Sequence, residues 1–366
     1  MTDTTRSALP RRIVVTGASG NVGTALLRRL AAHDPRPDIV AIARRIPPAR
    51  DPYAGARWCS VDLADPDAAA RLRPVMAGAD AVVHLAWGFQ PSHRRDYLGR
   101  VALDGTRAVT TAAAGAGVAH IVHMSSGAVY SRGSYGREVD ETWSTDGVPS
   151  CTYSVDKVRA ERFLDEFETD PGAPLLTRFR PGFIGQFVAG NGLERYVLPE
   201  LVPSAITDHL PVLPMDRSLA VPAVHSDDVA DAIVAALEQR VAGPFNLASP
   251  APVRADDFAE PFGCPIVPLP HRVLSIVAEA TWRLRLQPVE GGWIDLAYNT
   301  PLLDCTRAAR ELGWTPHHTG PDAWAETVRG MRSRAGTDSP VLHPRTARQR
   351  MAALVERGPI DHRIPS

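Results

Sequence analysis

Ile13-Val14-Val15-Thr16-Gly17-Ala18-Ser19-Gly20-Asn21-Val22-Gly23 runs from an apolar segment straight into glycines spaced three apart. Overlapping its end, Val22 to Ala31 carries Val22, Ala25, Leu26 and Leu30 on one helical face. A buried strand therefore feeds a tight turn that opens a helix. In that context the glycines let the backbone approach a pyrophosphate, which rests on the N–H groups at the helix start. The plain alternative is an ordinary glycine-containing turn. On the first reading Gly17, Ser19, Gly20, Asn21, Val22 and Gly23 are candidate contacts to a dinucleotide.

Working outward, further short apolar runs follow at 39–43, 57–61, 81–85, 121–124 and 176–179, most of them continuously apolar, as parallel strands covered on both faces should be. Helical patterns at 97–116 and 153–168 alternate with them. Alternation of this kind predicts an α/β fold, a Rossmann-type doubly wound parallel sheet. After Pro181 the texture changes to glycine, proline and isolated aromatics, with strands expected at 221–225 and 245–247 and a helix over 227–238 capped by Ser226 or Asp227. The division this predicts is a core over 11–184 completed by about 220–247, a smaller, mostly helical C-terminal substrate lobe from 185–219 and 248–331, and a polar tail over 332–366. The tail should be loosely ordered apart from a short amphipathic helix near 346–357. The 33 prolines, about 9% against a usual ~5%, suit irregular connections in the lobe.

With 366 residues, 44% of them hydrophobic, the chain can bury a full core. A net charge of −1 gives no electrostatic reason to expect nucleic acid or a membrane as partner. Cys59, Cys151, Cys264 and Cys305 are scattered without metal-ligand spacing, so neither a metal site nor a disulfide framework is expected, and a cytoplasmic location is the default reading.

Ser126, Tyr153 and Lys157 form the candidate catalytic set. Tyr153 and Lys157 share a helix face at i and i+4, and the Ser125-Ser126-Gly127-Ala128-Val129-Tyr130 run follows a strand upstream. A lysine ammonium beside the phenol, with an oxidised nicotinamide, should lower the tyrosine pKa from about 10. Tyr153 would then exchange a proton with a substrate oxygen as hydride moves at the nicotinamide, and Ser126 would orient that oxygen. At the end of the second strand stands Ile42-Ala43-Arg44-Arg45, with no carboxylate to hold an adenosine ribose diol. Arg44 offers a planar cation to a 2′-phosphate instead, which favours NADP(H) over NAD(H); the alternatives are that Arg44 stacks on adenine or that both arginines are solvated. Asp62 and Leu63, after the third strand, are placed at the adenine, with helix capping as the other role for Asp62.

In these motifs, and in their order from Arg12 to Met331, the chain resembles the extended short-chain dehydrogenases/reductases, the NAD-dependent epimerase/dehydratase family. His84-Leu85-Ala86, Gly105-Thr106, Arg180-Pro181-Gly182-Phe183-Ile184-Gly185, Val224-His225-Ser226-Asp227-Asp228-Val229 and Glu311-Leu312-Gly313-Trp314 extend the likeness. The resemblance implies that Ser126, Tyr153 and Lys157 are the acid–base set and that Lys157 binds the nicotinamide ribose. It further implies that Leu85 and Ala86 line the cofactor, that Pro181 to Phe183 lie near the nicotinamide, and that a homodimer forms through 97–116 and 153–168. His84, His225, Asp227 and Asp228 are expected to be structural.

The departures bear on substrate. Nucleotide-sugar members often carry an asparagine where Phe183 stands, and arginines before His225 and before Asp304; here 218–223 and 290–301 contain no cation. Losing two charge-assisted contacts of about 1.5–3 kcal/mol each would leave a nucleotide diphosphate poorly held, unless Arg195 or Arg217 compensates. The candidate pocket wall is Trp87, Phe89, Phe183 and Phe187 around Ser126, with Trp293 a further aromatic. The first reading is an NAD(P)-dependent oxidoreductase acting on a ketone or secondary alcohol of a small molecule. The alternatives are a nucleotide-sugar epimerase or dehydratase that recycles its cofactor, and a non-catalytic NAD(P)-binding protein.

Overall fold

The computed structural model describes residues 8–88, 95–133, 137–197 and 210–344, with 346, 348 and 349. Seven parallel strands make the central sheet: β1 (Arg12–Thr16), β2 (Asp38–Ala43), β3 (Arg57–Ser60), β4 (Ala81–His84), β5 (His120–Met124), β6 (Leu175–Pro181) and β7 (Gly243–Leu247). Their spatial order is β7-β6-β5-β4-β1-β2-β3, so the chain reverses direction beside β1. The pleat sorts side chains between two layers. Ile13 and Val15 face one core with α1 (Asn21–Ala31), whereas Val14 faces the other with α2 (Ala68–Met76). Pro74 lies inside α2, which hid this helix from periodicity.

A short helix, α3 (Arg95–Gly99), passes through a π-helical turn at Arg100–Asp104 into α4 (Gly105–Gly115). Next comes α5 (Thr152–Glu168), then α6 (Gly190–Val197) and α7 (Ser226–Gln239). Helix α7 lies in the α1 layer, and α4 contributes Val109, Ala112 and Ala113 to the α2 layer. The rest is mostly helical: α8 (Ala255–Ala259), α9 (His271–Arg283), α10 (Gly291–Asn299), α11 (Thr306–Leu312) and α12 (Gly320–Arg332). Among the described residues no helix is long and apolar enough to cross a membrane.

Three expectations change. The strand expected over 221–225 is split at Pro222, which has no N–H for a ladder. Ala220–Val221 pairs antiparallel with Val253–Arg254, and Ala223–His225 pairs parallel with Phe183–Gly185. The cap of α7 is His225, whose Nδ1 accepts from the Asp227 N–H at 3.1 Å, rather than Ser226 or Asp227. The first part of the tail is not loose: Ser339 and Leu342 are buried against the body of the protein. Most of the helix expected near 346–357 lies outside the described residues.

Candidate active site

The Gly turn connects β1 to α1. Gly17 has φ +70°, and a Cβ there would stand 2.6 Å from the Ala86 nitrogen, so Leu85-Ala86 can pass this close only over glycine. A Cβ on Gly23 would stand 2.4 Å from the Gly17 oxygen. The N-cap of α1 is Gly20, which has no side chain to satisfy the first-turn N–H groups. A tight turn ending in open N–H donors is what a diphosphate requires, so these residues fit a dinucleotide. Within the turn the roles differ. The Asn21 amide donates to the Ile184 carbonyl, and its oxygen accepts from Gln186 and Ser226, so its side chain braces the turn. Val22 and Leu63 are buried in the two cores.

At the end of β2, Arg44 donates to the Tyr97 hydroxyl at 2.8 Å, and Tyr97 donates to both Asp62 oxygens at 3.0 and 3.1 Å. Asp62 also accepts from the Ala64 N–H in a turn, and the helix that follows starts only at Ala68 with Asp67 at its N-cap. Burial pushes the Tyr97 phenol up to about 12, despite the Arg44 charge beside it. Arg44, Tyr97 and Asp62 therefore form a chain of hydrogen bonds at the β2 edge. Tyr97 had no signal in the sequence.

Ser126, two residues past the end of β5, caps the single turn Gly127–Val129, its Oγ accepting from the Ala128 N–H at 3.1 Å. From the first two turns of α5 come Tyr153 and Lys157. Lys157 is buried; its Nζ donates to the Met124 carbonyl at 2.8 Å and stands 3.4 Å from the centre of the Trp87 ring. Burial drives its pKa well below the ordinary range, with Glu161 pulling it back. Tyr153 is half-buried, stacked on Trp293 at 5.2 Å and met edge-on by Trp87 at 6.3 Å. Among the protein's own groups, burial pushes the Tyr153 phenol up and the hydrogen bond with Ser126 opposes it. Lys157 lies 5.9 Å from the Tyr153 ring centre.

The aromatic wall differs from the expected one. Trp87 and Trp293 meet Tyr153, whereas Phe183 packs edge-on against Trp324 at 5.8 Å in a separate apolar cluster. Phe187 is 40% exposed, and Phe89 lies outside the described residues. Leu85 and Ala86 are half-buried beside Gly17, and Pro181 is buried at the end of β6. His84 bridges Thr16 and Thr106, with burial lowering its pKa to about 3. Asp227 pairs with Arg28, and buried Asp228 accepts from the backbone N–H groups of His317 and His318. Asp228, Asp231 and His317 lie close together, and Asp231 is paired with Arg29.

A Gly turn over a parallel sheet's switch point, with serine, tyrosine and lysine gathered beyond its carboxyl edge, defines an enzyme of the short-chain dehydrogenase/reductase superfamily. The profile of the NAD dependent epimerase/dehydratase family matches residues 13–248, and the chain belongs to that family. No curated protein matches by sequence. Among solved structures, the UDP-glucose 4-epimerase of Thermus thermophilus in complex with NAD superposes with TM-score 0.64 at 19% identity, over 88% of this chain and 99% of that one. MoeE5 in complex with UDP-glucuronic acid and NAD gives 0.64 at 18% identity, over 88% and 99%. The UDP-glucose-4-epimerase of Stenotrophomonas maltophila, with NAD and formylated UDP-arabinopyranose, gives 0.64 at 21% identity, over 88% and 98%.

Proposed function

We propose that this enzyme is an NAD(P)-dependent oxidoreductase acting at a ketone or secondary alcohol carbon of a weakly polar small molecule, with Tyr153 as the acid–base group. The observation that carries the reading is the Trp87–Tyr153–Trp293 arrangement, which presents the phenol between two indole rings. An apolar substrate gains about 25 cal/mol per Å² buried against such a wall. The raised pKa keeps the phenol protonated, so Tyr153 holds the proton that a substrate carbonyl oxygen takes up on reduction. Ser126 orients that oxygen, and Lys157 holds the ribose next to the nicotinamide. When bound, the cofactor supplies or accepts the hydride. Gly17, Gly20 and Gly23 receive its diphosphate. NADP(H) is the favoured form, because Arg44 stands at the β2 edge where Ala43 replaces a carboxylate. Arg44→Ala should then weaken NADP by about 1.5–3 kcal/mol in a calorimetric titration and leave NAD unchanged; equal losses would reduce Arg44 to an adenine-stacking role. A homodimer through α4 and α5 fits the half-buried Phe163 and Phe167 on α5.

A second reading, a nucleotide-sugar epimerase, is favoured by the UDP-sugar ligands of the structural neighbours. Against it stand three cations near the lobe that already have partners: Arg95 pairs with Glu290, Arg132 bonds Asn299, and Arg217 pairs with Asp256, while the Arg195 side chain lies outside the described residues. Melting curves separate the two readings. UDP, dTDP and GDP at millimolar concentration should leave the melting temperature unmoved while NADP raises it; a saturable shift with a diphosphate would put the epimerase first.

A further inference from the structure

We infer that the segment 335–343, beyond the last helix, is a working part of the dinucleotide site: a strap that holds the Gly turn in its binding shape and sets how long the cofactor stays. The inference rests on the reading of Gly17 to Gly23 as a dinucleotide turn. Two contacts carry it. Ser339, with no exposed surface, donates from its Oγ to the Ser19 carbonyl at 2.6 Å. Thr337 shares a hydrogen bond of 2.6 Å with the hydroxyl of fully buried Tyr53. Tyr53 lies 3.0 Å from the Thr24 hydroxyl, which donates to the Gly20 carbonyl at 2.8 Å. The strap thus reaches two successive carbonyls of the turn, one directly and one through Tyr53 and Thr24.

The consequence follows from peptide planarity. Between Ser19 and Gly20 the N–H bonds the Gly17 oxygen at 3.0 Å, and the opposite carbonyl is taken by Ser339. With both ends of that plane fixed, and the next carbonyl held by Thr24, the N–H groups that open α1 are aimed before any diphosphate arrives. Pre-aimed donors lower the ordering cost of binding. The strap is itself built to stay: Leu342 is buried, Asn191 donates to the Ala335 carbonyl, and the Leu342 oxygen lies where only glycine fits at 336. Its ion pair, Arg50 with Asp338 at 3.5 Å, is solvent-exposed and minor.

The test uses the full chain with NADH and NADPH, whose fluorescence reports binding, and stopped-flow displacement for release. Ser339→Ala should weaken both cofactors on the order of tenfold, the scale of one buried hydrogen bond, chiefly through faster release. The loss should be equal for the two, because they share the diphosphate. The cofactor-free protein should melt only slightly earlier, and Ser339→Thr should restore affinity. A Ser339→Ala protein with wild-type affinity and release rate overturns the strap, as does one that only melts earlier. If that variant does not fold, Thr337→Val is judged by the same criterion. A wild-type chain that binds neither NADH nor NADPH would remove the dinucleotide reading itself, an outcome distinct from failure of the strap alone.

Discussion

Helices α5 and α9 invert the usual relation between side chain and burial. In α5, Asp156, Lys157 and Glu161 are buried, whereas α9 leaves Val273, Ile276 and Val277 exposed, Ile276 at 69%. The difference lies in what each helix meets. Across from α5, strand β6 supplies Arg178 and Arg180, both buried, which bond Glu161 at 2.8–3.1 Å. Burial alone would push the Glu161 carboxyl up, yet the two guanidinium groups hold it at about 2. Helix α9 packs chiefly against α10, where Ser275 donates to the Gly291 carbonyl and Glu279 accepts from the Gly291 N–H. Charge is buried where counter-charge and chemistry await it, and apolar surface stays outside where no layer among the described residues covers it.

The comparison would break most sharply at Tyr153. Tyr153→Phe should retain cofactor binding and lower turnover by about 10²–10⁴ in steady-state assays on any accepted substrate; near-normal turnover would reduce α5 to a structural helix. Next comes Glu161→Ala, which leaves buried Arg178 and Arg180 without their shared carboxylate. Chemical denaturation should show a loss of about 3–5 kcal/mol, and a loss under about 1 kcal/mol would mean that the buried charges of α5 are not held by pairing.

Acidification should act first on the buried histidines of the sheet. Burial lowers His84 to about 3 and His120 to about 4, and lowers His123 as well, so all three are neutral when folded. The unfolded chain takes up their protons below about 6.5. Their folded pKa values are depressed, so the stability they contribute is complete above about pH 6.5 and falls as pH drops toward about 4. Melting temperatures measured from about pH 7.5 to about 4.5 should decline progressively; a flat profile would contradict neutral burial. The smallest effect is expected on α9, where Ile276→Ser should change stability by no more than about 0.5 kcal/mol. A loss of several kcal/mol there would show that the exposed face is covered in solution.

The nucleotide-binding half could be read from the sequence because its signals are local. The run from Ile13 to Gly23 forms one strand, one turn and one helix start, and each glycine answers to its own backbone. Tyr153 and Lys157 share a helix face by spacing alone. Other features join residues far apart in the chain, for which spacing carries no information: Tyr97 between Arg44 and Asp62, Trp293 stacked on Tyr153, and Ser339 on the Ser19 carbonyl. The rank of Lys157 as a charge was also undecidable beforehand, because a pKa depends on how much water is removed, and only the packing of Trp87 and Met124 around Nζ decides that. The sequence by itself determined the parallel sheet, the Gly turn and the serine–tyrosine–lysine set, through periodicity and contiguous backbone geometry. Which aromatics wall the tyrosine, what caps α7 and where residues 335–343 lie were decided only by tertiary structure, because burial and long-range contacts are properties of the assembled layers.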